Sequence, residues 1–363
     1  MSEIQNIDKN LATTAKINDQ EIEFFSVRNE PFTIYGLISG KEGELFRRMP
    51  EDVAEKTSPG VRYLHTNTAG GRVRFRTDSE CVAIRAVMPG KCLMPHMPFV
   101  GSSGFDVYVS EGEAWSYKGS LIPPTDRKGR YEALVHFGHR EMREVTIHFP
   151  LYDNVEDLYV GIEPGASLEK GAKYRSVKPF ICYGSSITQG GCASRPGNCY
   201  SNILSRKLNM DHINLGFSGN AKGEQVMADY IAQLPMSVFL MDYDHNAPSI
   251  PHLEATHEKF FLTIREKNPD LPIIMATKTD TARTNQLSEA LWSRREIILR
   301  TYENAVKRGD KLVKFVDGRK TFDEISILGI PADSCTVDGC HPNDLGFACM
   351  AKVFEQAIRE MQV

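Results

Sequence analysis

Hydrophobic and polar residues alternate with a period of two through much of the first half of the chain. Between residues 32 and 160, short runs such as 72–77, 105–109 and 145–149 place apolar side chains at every second position, and Gly, Pro and Asp separate the runs. This alternation is typical of strands with one buried face. Many such strands joined by turns predict an antiparallel β-sandwich or jelly roll over residues 1–170, with almost no helix.

The pattern changes beyond a Gly-, Ser- and Lys-rich stretch at 165–177, which we interpret as a linker. Continuous apolar runs then alternate with runs of helical period. The predicted strands cover 178–183, 212–215, 237–242, 272–277 and 312–317, and the predicted helices cover 197–208, 223–234, 252–268, 287–308 and 345–361. Such βα repeats predict an α/β domain over residues 176–363, with a parallel sheet of flavodoxin-like topology and helices on both faces.

The stretch FICYGSSITQGG, residues 180–191, combines a strand, a tight turn and the start of a helix. Its first four residues are apolar without alternation, as expected of a strand that is covered on both faces. Gly184 lets the chain turn sharply, and Ser185 and Ser186 follow. A serine at this junction projects from the carboxyl end of the sheet, where open α/β sheets place their chemistry. Because Gly-Ser-Ser turns are common, an ordinary turn is the alternative at this point.

An aspartate and a histidine lie three residues apart in VDGCHPNDLGF, near the end of the chain. This spacing lets the carboxylate of Asp338 accept the Nδ1–H of His341 while Nε2 points toward a nucleophile. Cys335 and Cys340 lie beside the histidine and could indicate zinc. A structural zinc site needs a fourth ligand and usually a Cys-x-x-Cys pair, so we expect no metal here.

Two further polar segments follow predicted strands of the second half. NLGFSGNA offers the backbone N–H of Gly219, and MDYDHNAP offers the side-chain amide of Asn246. Both groups can donate hydrogen bonds to an oxyanion. Gly216 is an alternative donor to Gly219, and one of the four residues before Asn246 could take its place.

These four blocks, in the order serine, glycine, asparagine and aspartate–histidine, resemble the SGNH/GDSL hydrolase superfamily from about residue 176 to the C-terminus. The resemblance implies five site residues, namely the nucleophile Ser186, the oxyanion-hole residues Gly219 and Asn246, the base His341 and its orienting partner Asp338. The N–H of Ser186 would complete the oxyanion hole. The family's first block usually reads Gly-Asp-Ser, and Ser185 stands here in place of the aspartate, which leaves the triad intact. The resemblance implies a serine esterase that needs no metal or other cofactor.

The order of the two domains resembles that of a subset of bacterial carbohydrate esterases with a carbohydrate-binding-like N-terminal domain. The segments FDVYV (105–109) and PLYDNVEDLYVGI (150–162) carry this part of the resemblance. It implies removal of acetyl groups from plant-wall polysaccharides or oligosaccharides, including xylans and mannans. Two alternatives remain, an acyltransferase or other small-acyl esterase with the same triad, and a non-catalytic carbohydrate-binding protein.

Three residues are candidates for contact with the substrate. Trp115 lies in the polar segment EGEAWSYKG, where an exposed aromatic ring could stack on a sugar or could instead fold back onto the sandwich. Arg195 and His245 lie near the predicted catalytic blocks, although a solvated arginine and a structural histidine are the alternatives. We expect the sandwich to pack beside the catalytic domain, with Trp115 helping to wall the active site.

Composition and charge exclude several other classes of function. The net charge of −4 provides no basic surface for nucleic acid. No apolar run approaches the roughly 20 residues that a membrane span needs. The polar N-terminus lacks a signal-peptide pattern, which predicts a cytoplasmic protein with eight reduced cysteines, or a secreted one if the natural start has been trimmed. We therefore expect an ester substrate as the partner, and neither a nucleic acid nor a membrane; the sequence does not predict the oligomeric state.

Overall fold

The structure is a computed structural model that describes residues 13–17, 19–112, 114–126, 129–279 and 289–362. The chain divides into two compact units. The first comprises the described residues up to Arg48 together with 66–173 and 195–197, and the second comprises 49–65, 174–194 and the residues from 198 onward. The chain passes from the first unit to the second at residues 173–174. Two short segments are exceptions. Residues 49–65 precede this point but belong to the second unit, and residues 195–197 follow it but belong to the first.

Antiparallel sheets form the first unit. Its strands are β1 (Thr13–Ile17), β2 (Gln20–Ser26), β3 (Thr33–Tyr35), β4 (Arg72–Thr77), β5 (Cys81–Val87), β6 (Phe105–Glu111), β7 (Ala114–Leu121), β8 (Arg130–His136), β9 (Arg143–His148), β10 (Asp157–Ile162) and β11 (Leu168–Lys170). One sheet has the order β1-β2-β10-β5-β8, and the other has the order β11-β4-β9-β6-β7 with β3 beside β4. Apolar residues of both sheets, such as Val73 and Ile84, share one buried core. The predicted β-sandwich is confirmed.

The first half also contains three short helices, α1 (Glu51–Thr57), α2 (Pro59–Leu64) and α3 (Phe99–Ser103). The expectation of almost no helix there was therefore wrong. Each of these helices spans only five to seven residues, which is too short for a helical period to stand out in the sequence. Local signals for α2 are present, because Ser58 caps it by accepting from the N–H of Val61 and Pro59 occupies its first position.

The stretch 165–177 is not a linker throughout. Strand β11 lies within it and pairs with β4, so that Lys170 lies opposite Phe75. The chain remains close to β4 one residue later, because a Cβ atom on Gly171 would lie 2.9 Å from the backbone nitrogen of Phe75. The second sheet of the sandwich thus continues almost to the passage between the units.

Parallel strands and helices alternate in the second unit. In chain order they are β12 (Phe180–Gly184), α4 (Ser186–Gln189), α5 (Tyr200–Leu208), β13 (His212–Gly216), α6 (Gln225–Ala232), β14 (Val238–Asp242), α7 (Ile250–Lys267), β15 (Ile273–Ala276), α8 (Glu289–Lys307), β16 (Val313–Val316), α9 (Asp323–Ile327) and α10 (Asp344–Glu360). The sheet order is β13-β12-β14-β15-β16 and all its pairings are parallel. This confirms the predicted flavodoxin-like α/β fold. The start of the predicted helix at 287–308 lies outside the described residues. No helix in the described part of the chain is long and apolar enough to span a membrane.

Strand β12 lies inside this sheet, between β13 and β14, and is buried along its whole length. Tyr183 belongs to a core that also contains residues of α6, α7 and α8, and its ring stacks on Phe260 of α7 at 4.9 Å. Full burial of an aromatic side chain of this kind stabilises a fold by about 1.5–3 kcal/mol. The strand therefore forms a rigid support, and it ends at Gly184, immediately before the two serines.

Candidate active site

The turn after β12 fixes the two serines in different environments. A Cβ atom on Gly184 would lie 2.2 Å from the backbone oxygen of Asp242, so only glycine fits this close approach. Ser185 is buried and caps α4, because its Oγ accepts from the N–H of Ile187 at 3.2 Å. Ser186, the first residue of α4, is half-buried and presents its hydroxyl to a histidine.

Three of the predicted site residues form one hydrogen-bonded chain. Ser186 Oγ lies 2.9 Å from His341 Nε2, and His341 Nδ1 lies 2.7 Å from Asp338 Oδ2. In a neutral imidazole with its proton on Nδ1, Nδ1–H donates to the carboxylate and Nε2 accepts from the serine hydroxyl. This arrangement can transfer the serine proton to the imidazole when the oxygen attacks an electrophile.

Backbone groups of the loop 337–341 hold the carboxylate of Asp338 in place. Its Oδ1 accepts from the N–H groups of Cys340 at 3.0 Å and His341 at 2.7 Å. Burial acts to raise the pKa of Asp338, but the hydrogen bonds from His341 and Cys340 outweigh it and lower the pKa to about 2. The carboxylate is therefore ionised at neutral pH and fixes the tautomer of His341.

Gly219 lies on an exposed turn after β13 and has a positive φ of 69°, a conformation that favours glycine. The turn is anchored to strand β12, because the N–H of Phe217 donates to the oxygen of Gly184 at 2.8 Å. Gly216, the alternative donor, has its N–H bonded to Asn214 Oδ1 at 2.9 Å. That bond favours Gly219 as the group available to an oxyanion.

Asn246 ends a short 3-10 turn, Asp244–Asn246, that follows β14. Its Nδ2 donates to the oxygen of Phe217 at 2.9 Å, which orients the amide toward the turn that carries Gly219. An amide nitrogen has two N–H groups, so the second can serve an oxyanion. The neighbouring Asp242 and Asp244 are buried, and burial raises the pKa of each, with Asp244 at about 6. The role of Asn246 in an oxyanion hole stays a prediction.

His245 contacts the loop 337–341 rather than lying in open solvent. Its Nδ1 lies 3.9 Å from Cys340 Sγ, one residue from His341. Its Nε2 is buried and has no hydrogen-bond partner among the described residues. Burial, followed by the positive charge of Lys278, lowers the pKa of His245 well below its ordinary value, so the ring is neutral. Contact between His245 and a substrate stays a prediction.

The other two candidate substrate residues belong to the first unit. Trp115 lies in strand β7, not on a loop as the polar sequence around it predicted, and pairs with Ser110. The guanidinium of Arg74 lies 4.9 Å from the centre of its ring. Arg195 lies 4.0 Å from the centre of the Tyr117 ring. Both side chains are thus engaged in cation–π contacts, and their roles toward a substrate stay predictions.

Sequence reasoning missed Asp344, the first residue of α10. Its carboxylate accepts from the backbone N–H of Ser194 at 2.8 Å and from Asn198 Nδ2 at 2.8 Å, and the Ser194 hydroxyl donates to it as well. Asp344 therefore joins the loop after α4 to the helix that begins three residues beyond His341. The only signal in the sequence was an acidic residue at a helix start, which is too common to assign a role.

All eight cysteines are free thiols. Within the ranges that the structure describes, no group of three or more His, Cys, Asp or Glu side chains is arranged to hold a metal ion.

Two models of known protein families match this chain. The model of the GDSL-like lipase/acylhydrolase family matches residues 177–359. The chain belongs to this family. A second model, described as the N-terminus of SGNH-hydrolase-type esterases, matches residues 22–168. The family resemblance expected from the four sequence blocks is confirmed.

Solved structures of several other proteins have a similar fold over most of this chain. A protein of Bacteroides ovatus described as a GDSL-like lipase is 30% identical, with 94% of this chain and 98% of that chain covered and a TM-score of 0.81. The salicylyl-acyltransferase SsfX3 from a tetracycline biosynthetic pathway is 22% identical, with the same coverage and a TM-score of 0.75. An acetyl xylan esterase from the rumen bacterium Butyrivibrio proteoclasticus is 13% identical, again with that coverage and a TM-score of 0.58. A search of curated proteins gives no match.

Proposed function

We propose that this member of the GDSL-like family is a serine esterase that removes acetyl groups from acetylated oligosaccharides derived from xylan or mannan. One observation carries the proposal, namely the chain of contacts from Ser186 Oγ to His341 Nε2 at 2.9 Å and from His341 Nδ1 to Asp338 Oδ2 at 2.7 Å. These distances lie within the range over which a base activates a serine and a carboxylate orients the base.

The proposed cycle has two halves. Ser186 Oγ attacks the acetyl carbonyl while His341 takes its proton, and the oxyanion accepts from the N–H groups of Ser186 and Gly219 and from the amide of Asn246. The tetrahedral intermediate collapses, His341 returns the proton to the leaving sugar hydroxyl, and an acetyl-enzyme remains. Water then attacks the acetyl group with His341 as base, which releases acetate and restores Ser186.

The choice of substrate rests on fold similarity. The acetyl xylan esterase shares the two-unit fold over 94% of this chain, although at 13% identity. The direct test is acetate release from acetylated xylo- and manno-oligosaccharides, with NMR to locate the ester that is lost. We expect release by the wild-type protein and none by Ser186→Ala. Hydrolysis of aryl acetates without any action on these oligosaccharides would refute the substrate and leave the esterase chemistry in place.

An acyltransferase is the second candidate function. The salicylyl-acyltransferase has a TM-score of 0.75, compared with 0.58 for the acetyl xylan esterase, and the same triad would serve transfer if an acceptor replaced water. Adding an alcohol acceptor such as a xylo-oligosaccharide to an aryl acetate reaction separates the two. An esterase yields mainly free acetate, whereas a transferase yields mainly the acetylated acceptor.

A further inference from the structure

The short helix α2 comes from the first half of the sequence but belongs to the second unit. Val61 is fully buried and Leu64 is almost so, and both lie in the core that contains Tyr183 and Phe217. Helix α1, which precedes it, packs beside α6. The helical pair α1–α2 is therefore an integral part of the unit that carries Ser186, His341 and Asp338.

Gly60 brings the backbone of α2 into direct contact with Asn220. A Cβ atom at position 60 would lie 1.9 Å from Asn220 Oδ1 and 2.2 Å from its Cγ. Real Cβ atoms do not approach other atoms so closely, and the Asn220 side chain is short, so its amide would have to move. Any side chain at position 60 would thus displace Asn220.

Asn220 in turn closes the turn that carries Gly219. Its Nδ2 donates to the oxygen of Ser218 at 2.7 Å, and its backbone N–H donates to the oxygen of Phe217 at 2.9 Å. Asn220 therefore holds the carbonyl groups of the two residues that precede Gly219. Displacing its amide removes the bond that holds the peptide before Gly219 in place.

We propose that Gly60 is a positioning residue for the oxyanion hole, acting through its contact with Asn220 on the turn that presents the Gly219 N–H. The inference rests on the proposed function, since the role of Gly219 is part of it. It assigns a catalytic consequence to α2, a helix that is separated from the nucleophile by more than a hundred residues of sequence.

Replacing Gly60 with alanine should stabilise helix α2 itself, whereas we expect it to lower activity. Gly60 does not have a positive φ, so alanine can adopt its backbone conformation. Alanine is favoured over glycine within helices by up to about 1 kcal/mol. A loss of activity in Gly60→Ala would therefore arise from the contact with Asn220 and not from unravelling of α2.

The test is a double-mutant cycle of Gly60→Ala and Asn220→Ala, with Arg62→Ala as the control on the exposed side of the same helix. Hydrolysis of an aryl acetate gives kcat and KM, and thermal melting monitors the fold. We expect Gly60→Ala to lower kcat about tenfold to a hundredfold, somewhat less than complete loss of one oxyanion donor, with KM little changed. When Asn220 is already alanine, adding Gly60→Ala should change kcat by no more than about twofold. Arg62→Ala should match the wild type.

Three results would overturn the inference, namely an unchanged kcat in Gly60→Ala, a change in KM alone, or losses that multiply in the double variant. If Gly60→Ala does not fold, a folded double variant with the activity of Asn220→Ala supports it, and an unfolded double variant refutes it. Hydrogen–deuterium exchange gives a readout that does not depend on esterase activity. Faster exchange at the amides of 217–221 in Gly60→Ala supports the contact even if the wild type proves inactive, and unchanged exchange counts against it.

Discussion

The two serines of the turn after β12 make different contacts, and we predict that only one of them reacts with substrate. Ser185 Oγ is turned back to the N–H of Ile187, whereas Ser186 Oγ faces His341. Ser186→Ala should abolish measurable turnover with the melting temperature almost unchanged, because a half-buried hydroxyl contributes little to packing. Steady-state kinetics and thermal melting on the same samples test this.

Ser185→Ala is the matched control for that prediction. It should cost about 1 kcal/mol of stability through loss of the helix cap and should keep measurable turnover. If Ser185→Ala lost activity and Ser186→Ala retained it, our assignment of the nucleophile would be off by one residue.

Asn246 should stabilise the transition state more strongly than it stabilises bound substrate. Asn246→Ala should lower kcat by about a hundredfold to a thousandfold, the scale of losing one preorganised oxyanion donor. KM should change much less, because the negative charge that the amide meets exists only after attack. A defect confined to KM would instead make Asn246 a ground-state binding residue.

Buried Asp244 predicts a dependence of stability on pH. Its pKa is raised from 3.8 to about 6, chiefly by burial, so the folded protein binds this proton more tightly than the unfolded chain. The resulting stabilisation is complete below its ordinary pKa and is lost as the pH rises through about 6. Asp244→Asn stays neutral and should be about 1–3 kcal/mol more stable than the wild type above a pH of about 7.

Urea unfolding of both proteins at pH 4 and pH 8 provides the measurement for Asp244. The gap in stability between variant and wild type should widen with rising pH. A gap that is constant, or one that widens toward acid, contradicts a raised pKa for this group.

At the scale of elements, the sequence predicted long buried elements better than short ones. Strand β12 and helix α10 were predicted within a few residues, because continuous apolar runs and sustained helical periods reflect burial directly. Helices α1–α3 and strand β11 were missed since pieces of three to seven residues carry too few positions for a period to appear. Their formation depends on tertiary contacts that no local pattern encodes.

Asp344 holds two elements together and should matter for stability. Asp344→Ala removes the acceptor of the Ser194 N–H and one acceptor of the Asn198 amide, which keeps its contact with Ser194 Oγ. Each hydrogen bond of this kind contributes about 0.5–1.5 kcal/mol to stability. We expect a loss of that size in urea unfolding. The exposed Asp270→Ala is the control, and a surface change of this kind stays within about 0.5 kcal/mol. Equal effects of the two substitutions would show that Asp344 has no special role.

For the molecule as a whole, the four sequence blocks could be located because three of them follow predicted strands and the fourth places Asp338 and His341 on one segment. Their catalytic roles come from the resemblance to the SGNH/GDSL superfamily and stay predictions. The sequence could not give the contacts that support these blocks. Gly60 meets Asn220 across a sequence separation of 160 residues, and nothing local to either residue indicates the other. The inclusion of 49–65 in the second unit could not be predicted either, because it depends on the burial of Val61 and Leu64 in the core of that unit.

Trp115 of the first unit is the residue that we predict to stack on a sugar of the substrate. Trp115→Ala should reduce kcat/KM on acetylated oligosaccharides at least about tenfold, equivalent to about 1.4 kcal/mol. An aryl acetate has no sugar ring, so its hydrolysis should be almost normal. Equal losses on both substrates would indicate a folding defect, and no loss on either would leave specificity to the second unit.

The central claim is that Ser186 is a nucleophile activated by His341, and covalent labelling tests it most directly. A fluorophosphonate probe reacts with activated serines irrespective of the natural substrate, and mass spectrometry of the digested protein locates the adduct. We predict one adduct on Ser186 in the wild type, none in Ser186→Ala, and strongly slowed labelling in His341→Ala. An unlabelled wild-type protein, or an adduct on any other residue, would contradict the account.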